Sequence, residues 1–251
     1  VSYSCIAIMA FLFSEKLMFP YNECSYDRSL PGLVMLEAKD QTPIAARLWI
    51  KDGADTLVLL FHGNFEDLGQ LDIVSKGIMN LGFSVLSIDY RGYGLSEGSP
   101  TEHNCYADAR LLIQKAQALG YRDADIILWG RSIGSGPATQ LATEMNARAL
   151  VLESPFVTAF RTTTHIPLLP FDRFNNLSKM NEVNCPLLII HGKRDRIIPA
   201  WHSHKLIEKH NGRNALHLVD DAGHNNLWLR DIRPAFHQLQ RIINRNFHSL
   251  T

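Results

Sequence analysis

Six short apolar runs, each five or six residues long, recur between positions 56 and 219: Thr56–Phe61, Phe83–Ile88, Asp125–Trp129, Arg148–Leu152, Pro186–Ile190 and Ala215–Val219. They are β-branched or Leu-rich and nearly unbroken by polar residues, as strands are when both faces are covered. Stretches of helical length fill the gaps: Leu68–Leu81, Glu102–Leu119, Ile133–Asn146, Trp201–Asn211 and Leu227–Phe247. In the third, Ile133, Pro137, Leu141 and Met145 recur every four residues, a single helical stripe with Pro137 near its first turn, where a missing donor matters less. Ahead of this alternation, Gly32–Ala38 and Ala45–Ile50 flank the turn-like Asp40-Gln41-Thr42-Pro43 and predict an antiparallel hairpin. Hairpin and alternation together predict an α/β fold: a mostly parallel, eight-stranded sheet with helices on both faces.

A chain of 251 residues can bury roughly three quarters of its unfolded surface, so one core suffices. The expected layout is an N-terminal apolar segment and lead-in over 1–31, then one domain over 32–251. One connection breaks the rhythm. Between Leu152 and Pro186 lie Pro155, Pro167, Pro170, the run Thr162-Thr163-Thr164 and the apolar Ile166, Leu168, Leu169 and Phe171. That length is too great for a crossover and too small for a domain, which predicts a short lid, about 154–185, over the C-terminal edge of the sheet.

The N-terminus carries nine consecutive apolar residues, Cys5–Phe13, where a spanning helix needs about 20. Two readings stand: a helix packed on the domain, or, since the chain opens on Val1, the end of a longer signal or anchor segment. The protein is accordingly expected to be either membrane-associated through this segment or cytoplasmic. Twenty-five basic and 25 acidic side chains, scattered along the chain, leave no footprint for a phosphate backbone, so nucleic acid is not an expected partner. The four cysteines, Cys5, Cys24, Cys105 and Cys185, form no CxxC pair and read as free thiols; Cys185, before Pro186 and an apolar run, reads as a small buried hydrophobe.

The sharpest chemical signal is Gly130-Arg131-Ser132-Ile133-Gly134. By composition alone G-x-S-x-G arises in about one chain in ten, so the bare pattern says little. Here a strand run ends at Gly130 and a helical stripe begins at Ile133, which puts Ser132 on a tight strand-to-helix turn. Such a turn strains the serine backbone and needs small residues two before and two after it, and Gly130 and Gly134 supply them. The amide of Ile133, at the positive end of a helix, would face the oxygen that becomes charged when Ser132 attacks a carbonyl.

Other motifs follow in order: His62-Gly63-Asn64 after the third strand, Asp89-Tyr90-Arg91-Gly92-Tyr93-Gly94-Leu95-Ser96 after the fourth, His191-Gly192-Lys193-Arg194-Asp195 after the seventh, and Ala222-Gly223-His224-Asn225 before the last helix. From about Gly32 onward the chain resembles the α/β-hydrolase superfamily, and within it the small-lidded members that include depalmitoylase-like and prolyl-peptidase-like serine hydrolases. The resemblance assigns Ser132 as nucleophile, Asp195 as acid and His224 as base, in chain order Ser, Asp, His. It also makes the first loop the oxyanion loop, with the amides of Phe65 and Ile133 as donors. Physical chemistry asks for the same residue types: an imidazole to take the serine proton and return it to the leaving group, and a carboxylate to fix the ring tautomer. Glu153, at the end of the strand after the nucleophile helix, is the rival acid, since some hydrolases of this fold place the acid there; the resemblance of the Gly192–Pro199 loop to the family in detail favours Asp195. Asp220 and Asp221 read as solvated loop charges.

Eleven histidines compete for roles. His62 and His191, before glycine at strand ends, read as backbone-bonding residues. His202 and His204, two apart on a helix, make a poor metal pair, and a metal site from His62, His191, Asp195 and His224 lacks HExxH-type spacing. Phe65, Glu66 and Asp67 follow His-Gly-Asn where the relatives often carry small residues, so the ring of Phe65 is expected to border the acyl site with two carboxylates close by. Arg91 and Tyr93 read as loop-fixing residues, Arg91 paired to a carboxylate. The expected function is that of a serine hydrolase cleaving a carboxylic ester or thioester, acting on a small-molecule or acylated substrate through an acyl-enzyme. No cofactor is implied, since the serine supplies the covalent chemistry. A peptidase acting on short peptides and a non-catalytic ligand-binding protein of the same fold are the alternatives.

Overall fold

The computed structural model describes residues 2–20, 23–164 and 166–244. The predicted hairpin forms β1 (Leu33–Glu37) and β2 (Pro43–Trp49), and the six apolar runs form β3 (Leu57–Phe61), β4 (Ser84–Ile88), β5 (Ile126–Arg131), β6 (Ala149–Glu153), β7 (Leu187–Gly192) and β8 (Asn214–Val219). They make one eight-stranded sheet in the order β1-β2-β4-β3-β5-β6-β7-β8. β1 pairs antiparallel with β2 and β2 with β4, whereas all pairings from β4 through β8 are parallel.

Alternation along each strand sorts its side chains onto two cores. Leu57, Leu59 and Phe61 share one with Ala109 and Leu112 of α3 (Glu102–Ala118), Leu141 of α4 (Ser135–Glu144) and Leu206 of α6 (Trp201–Lys209). Val58 and Leu60 share the other with Val74 and Ile78 of α2 (Asp72–Asn80) and with Phe236 and Leu239 of α7 (Arg233–Asn244). Each fully buried Leu or Ile contributes about 1.5–3 kcal/mol relative to exposure. That two-sided burial is what the unbroken apolar runs encode. The chain leaves β3 toward β4 and then returns past it to β5, so the loops after β3 and β5 diverge at a topological switch point, where open α/β sheets hold ligands.

Two predicted helices are divided. Leu68–Leu81 becomes a 3₁₀ turn, Leu68–Gln70, capped by the Asp67 carboxylate on the Gly69 N–H at 3.0 Å, followed by α2. Leu227–Phe247 becomes a 3₁₀ turn, Leu227–Leu229, and a separate α7 with Pro234 in its first turn, where the missing N–H is tolerated; residues 245–247 lie outside the described ones. The helix after Ser132 likewise opens with a 3₁₀ turn, Ser132–Gly134, before α4.

The N-terminal run folds as α1 (Tyr3–Met18), longer than its apolar core and ending with Glu15 and Lys16 in its last turn. It packs on the lid region: the rings of Phe11 and Phe171 meet edge to face at 5.4 Å, and Tyr3 donates to the carbonyl of Leu168 at 3.0 Å. Among the described residues no helix is long and apolar enough to cross a membrane. The lid region is irregular, with short turns at Phe160–Thr162 and Met180–Glu182 around the one-turn helix α5 (Asn176–Lys179). All four cysteines are free; Cys105 and Cys185 are buried, and burial pushes the Cys185 thiol up to about 12.

Candidate active site

β5 ends at Arg131 in extended conformation, and the chain turns so sharply into the 3₁₀ turn that Ser132 has φ of 50°, a left-handed value strained for any residue but glycine. The flanking glycines make the turn passable. A Cβ on Gly134 would collide with the backbone carbonyl of Phe61, and one on Gly130 with the carbonyl of Gly134. Strand and helix thus approach across two bare backbones, and Ser132 is left at the tip.

His224 Nε2 lies 3.0 Å from Ser132 Oγ, and His224 Nδ1 lies 2.7 Å from Asp195 Oδ2. With the Nδ1 proton donated to the carboxylate, Nε2 is free to accept from the serine hydroxyl. The three side chains come from the ends of β5, β7 and β8, which the parallel order brings to one edge. Asp195 also accepts from the amides of Ile197 and Ile198 at 2.9 and 2.8 Å, and His191 Nε2 is 3.3 Å from its Oδ2. Burial pushes the Asp195 carboxyl up, but the hydrogen bonds from His191 and His224, with the amide of Ile198, outweigh it and hold the group well below the usual carboxylate range. His191 is fixed in turn, Nδ1 to Ser203 Oγ at 2.5 Å and Nε2 to the Ile198 carbonyl at 2.7 Å.

Gly63–Glu66, in the loop expected to hold the oxyanion, and Ile133 line the same cavity as Ser132. Phe65 is 69% exposed where it lines this cavity. The loop is held by tyrosines from the next connection: Tyr90 donates to the His62 carbonyl at 2.8 Å and Tyr93 to the Asn64 carbonyl at 2.9 Å. His62 bonds the Gly63 carbonyl through Nδ1 at 2.7 Å, and Nε2 is 3.4 Å from Asp89 Oδ1. Arg91 reaches Asp108 and Asp40 at 2.8 and 2.6 Å, which fixes the loop after β4.

Glu153, the rival acid, is engaged elsewhere: Arg131 Nε donates to it at 2.8 Å, Trp228 Nε1 at 2.9 Å, and Trp129 Nε1 lies 3.4 Å away. The second arm of Arg131 binds Glu66. The local sequence did not single out Arg131, because an arginine inside G-x-S-x-G carries no pattern that identifies its partners 65 and 22 residues away.

The cavity over Ser132 is about 780 Å³. Its walls are largely apolar: Ile133 and Ile198 near the serine, Phe156, Phe160 and Leu169 from the lid region, and Ala10 from α1. Among the described residues no group of three or more His, Cys, Asp or Glu side chains is arranged to hold a metal ion.

Residues 52–174 match the serine aminopeptidase S33 family. Human alpha/beta hydrolase domain-containing protein 17B is 35% identical over 176 residues, 68% of this chain and 61% of that protein. Alpha/beta hydrolase domain-containing protein aho-3 of Caenorhabditis elegans is 37% identical over 180 residues, 68% of this chain and 53% of that protein. The match thus spans less than two thirds of the length of these curated relatives. Among solved structures, an esterase of Pyrococcus furiosus, Pf2001, superposes with a TM-score of 0.70 at 19% identity, covering 89% of this chain and 95% of its own. Est1E of Butyrivibrio proteoclasticus, bound to ferulic acid, superposes with a TM-score of 0.69 at 18% identity over 84% of this chain and 99% of its own. Sequence identity in the first pair and shared architecture in the second lead to one placement: the chain belongs to the α/β-hydrolase superfamily.

Proposed function

We propose that the protein is a serine hydrolase that cleaves carboxylic esters or thioesters through an acyl-enzyme on Ser132. The observation that carries this reading is the unbroken chain from Ser132 Oγ through His224 to Asp195, at 3.0 and 2.7 Å, opening onto an apolar cavity. Ser132 attacks the acyl carbonyl as His224 takes its proton, and Asp195 holds the ring and stabilises the imidazolium. The amides of Phe65 and Ile133 receive the developing oxyanion. The tetrahedral intermediate collapses, His224 passes the proton to the departing alkoxide or thiolate, and water admitted on the same histidine releases the acid. The apolar wall suits a medium or long acyl chain, since each methylene removed from water contributes about 0.8 kcal/mol.

The family name of residues 52–174 raises an aminopeptidase reading. Such an enzyme needs a carboxylate for the substrate's ammonium group. Glu66 and Glu153, which line the cavity, are already paired with Arg131, and Asp172 accepts from Thr158 and from the amides of Phe160 and Arg173. This favours ester or thioester cleavage. A fluorophosphonate probe should label the native protein, and Ser132→Ala should abolish labelling. A folded protein that stays unlabelled and hydrolyses no ester or thioester faster than Ser132→Ala would overturn the proposal, leaving a ligand-binding role for the cavity.

A further inference from the structure

The loop after β3 and the turn after β5 must keep a fixed spacing if amides from both are to meet one oxygen, and the strands beneath them do not reach that far. What spans the gap is a chain of charged side chains. The Glu66 carboxylate turns back on its own loop and accepts the Gly63 N–H at 3.0 Å through Oε2. Its other oxygen accepts from Arg131 Nη1, the residue immediately before Ser132. The guanidinium continues to Glu153 at 2.8 Å, and Glu153 to the indole of Trp228 at 2.9 Å, four residues after His224. Arg131 and Glu153 are nearly enclosed, with 12% and 3% of their side chains exposed, and Glu66 is exposed by 25%. Charged pairs so far out of water are weak evidence for stability, since apolar residues of the same shape often do as well, and in some proteins they are retained because they specify geometry.

We infer that Glu66 and Arg131 are positioning residues, an ion-paired clamp that locks the oxyanion loop to the nucleophile turn so that the Phe65 and Ile133 amides hold register. The inference rests on the serine-hydrolase reading above. The clamp touches no reacting atom. It acts through the Gly63 amide, two residues before Phe65, and through the backbone of Ser132. Removing an oxyanion donor costs about 10²–10³ in kcat, and misplacing a group by an ångström can cost about 10². Loosening the clamp should therefore lower kcat by about 10–100-fold with KM within about twofold, because the apolar part of the cavity wall, Phe156, Phe160, Leu169 and Ile198, is untouched.

The test is a double-mutant cycle of Glu66→Gln, Arg131→Gln and the pair, on a short-chain aryl ester, with rates normalised to sites titrated by a fluorophosphonate probe so that unfolded protein does not count. Hydrogen exchange of the amides from Gly63 to Asp67 is followed in the same proteins. Glu144→Gln, which breaks the Arg110–Glu144 pair between α3 and α4, controls for loss of an ion pair as such. The clamp predicts that the double variant is no slower than the slower single one, that exchange quickens at 63–67, and that Glu144→Gln changes neither. Losses that multiply, a kcat for Glu66→Gln within threefold of wild type, or unchanged exchange at 63–67 would each overturn it. Should Arg131→Gln fail to fold because Glu153 is left buried without its cation, Glu66→Gln decides alone, since it leaves the Arg131–Glu153 pair in place. A wild-type protein that neither labels nor turns over ester would sink the serine-hydrolase reading, while the exchange contrast would still judge the clamp.

Discussion

The carboxylate of Glu153 accepts the indole N–H of Trp228 at 2.9 Å, so the residue that competes for the role of catalytic acid is turned toward a half-buried tryptophan and Arg131 rather than toward His224. Asp195→Ala should therefore lower kcat by about 10⁴-fold with little change in KM, as loss of a ring-orienting carboxylate does. Glu153→Ala should act mainly on stability, lowering it by about 3–5 kcal/mol because a buried guanidinium loses one of its two partners. Steady-state kinetics beside urea denaturation separate the two, and a larger kcat loss for Glu153→Ala would reverse the assignment of the acid.

The close approach of Gly134 to the Phe61 carbonyl gives a second expectation. A methyl group there meets backbone, which cannot swing aside as a side chain can. Gly134→Ala should cost at least about 1–3 kcal/mol, the usual range for overpacking, and should slow fluorophosphonate labelling even of the folded fraction, because β3 and the serine turn must separate. An unchanged urea midpoint would contradict so close an approach of Gly134 to the Phe61 carbonyl.

Much of this architecture is legible in the sequence, and the reason is physical. A strand buried on both faces has no polar positions to blur it, so β3 to β7 announce themselves, and two glycines flanking a serine between strand and helix leave few other local geometries. Helix ends were less legible: whether Leu68–Leu81 and Leu227–Phe247 run on or break depends on Asp67 capping Gly69 and on where Pro234 falls relative to the first turn. Least legible was the Glu66–Arg131–Glu153 chain. It joins residues far apart in sequence, and although Glu153 reads as a rival acid and Glu66 as a carboxylate beside the acyl site, nothing local ties either to Arg131 until the sheet order places them together.

Asp195 also sets a pH dependence. Its folded-state carboxyl lies below the value of about 3.9 for an unfolded aspartate, so its ionised form contributes stability that is fully present above that value and is lost as pH falls through the lower, folded one. The stability gap between wild type and Asp195→Asn should persist from neutral pH down to about pH 5 and close progressively below about pH 4. Urea midpoints across that range check it, and a gap that instead closed between pH 6 and 8 would mean that the hydrogen bonds from His191 and His224 do not hold the carboxylate in this way.

The remaining expectation concerns α1, which supplies a wall of the cavity over Ser132. Ala10 is a small side chain on that wall, and the ring and hydrogen-bond contacts of the helix with the lid region come from Phe11, Tyr3 and Ser14. Enlarging it should fill space without breaking those contacts. If the acyl chain lies along this wall, Ala10→Trp should leave an acetyl ester almost untouched, because the short acyl group ends near Ser132. A long-chain ester should lose binding by about fourfold for each methylene driven back into water, at about 0.8 kcal/mol apiece. Displacement of two methylenes would thus lower kcat/KM on a dodecanoyl ester by about 15-fold relative to acetyl. Paired measurements on the two esters supply the ratio, and an equal effect on both would place the acyl chain along the lid residues Phe160 and Leu169 instead.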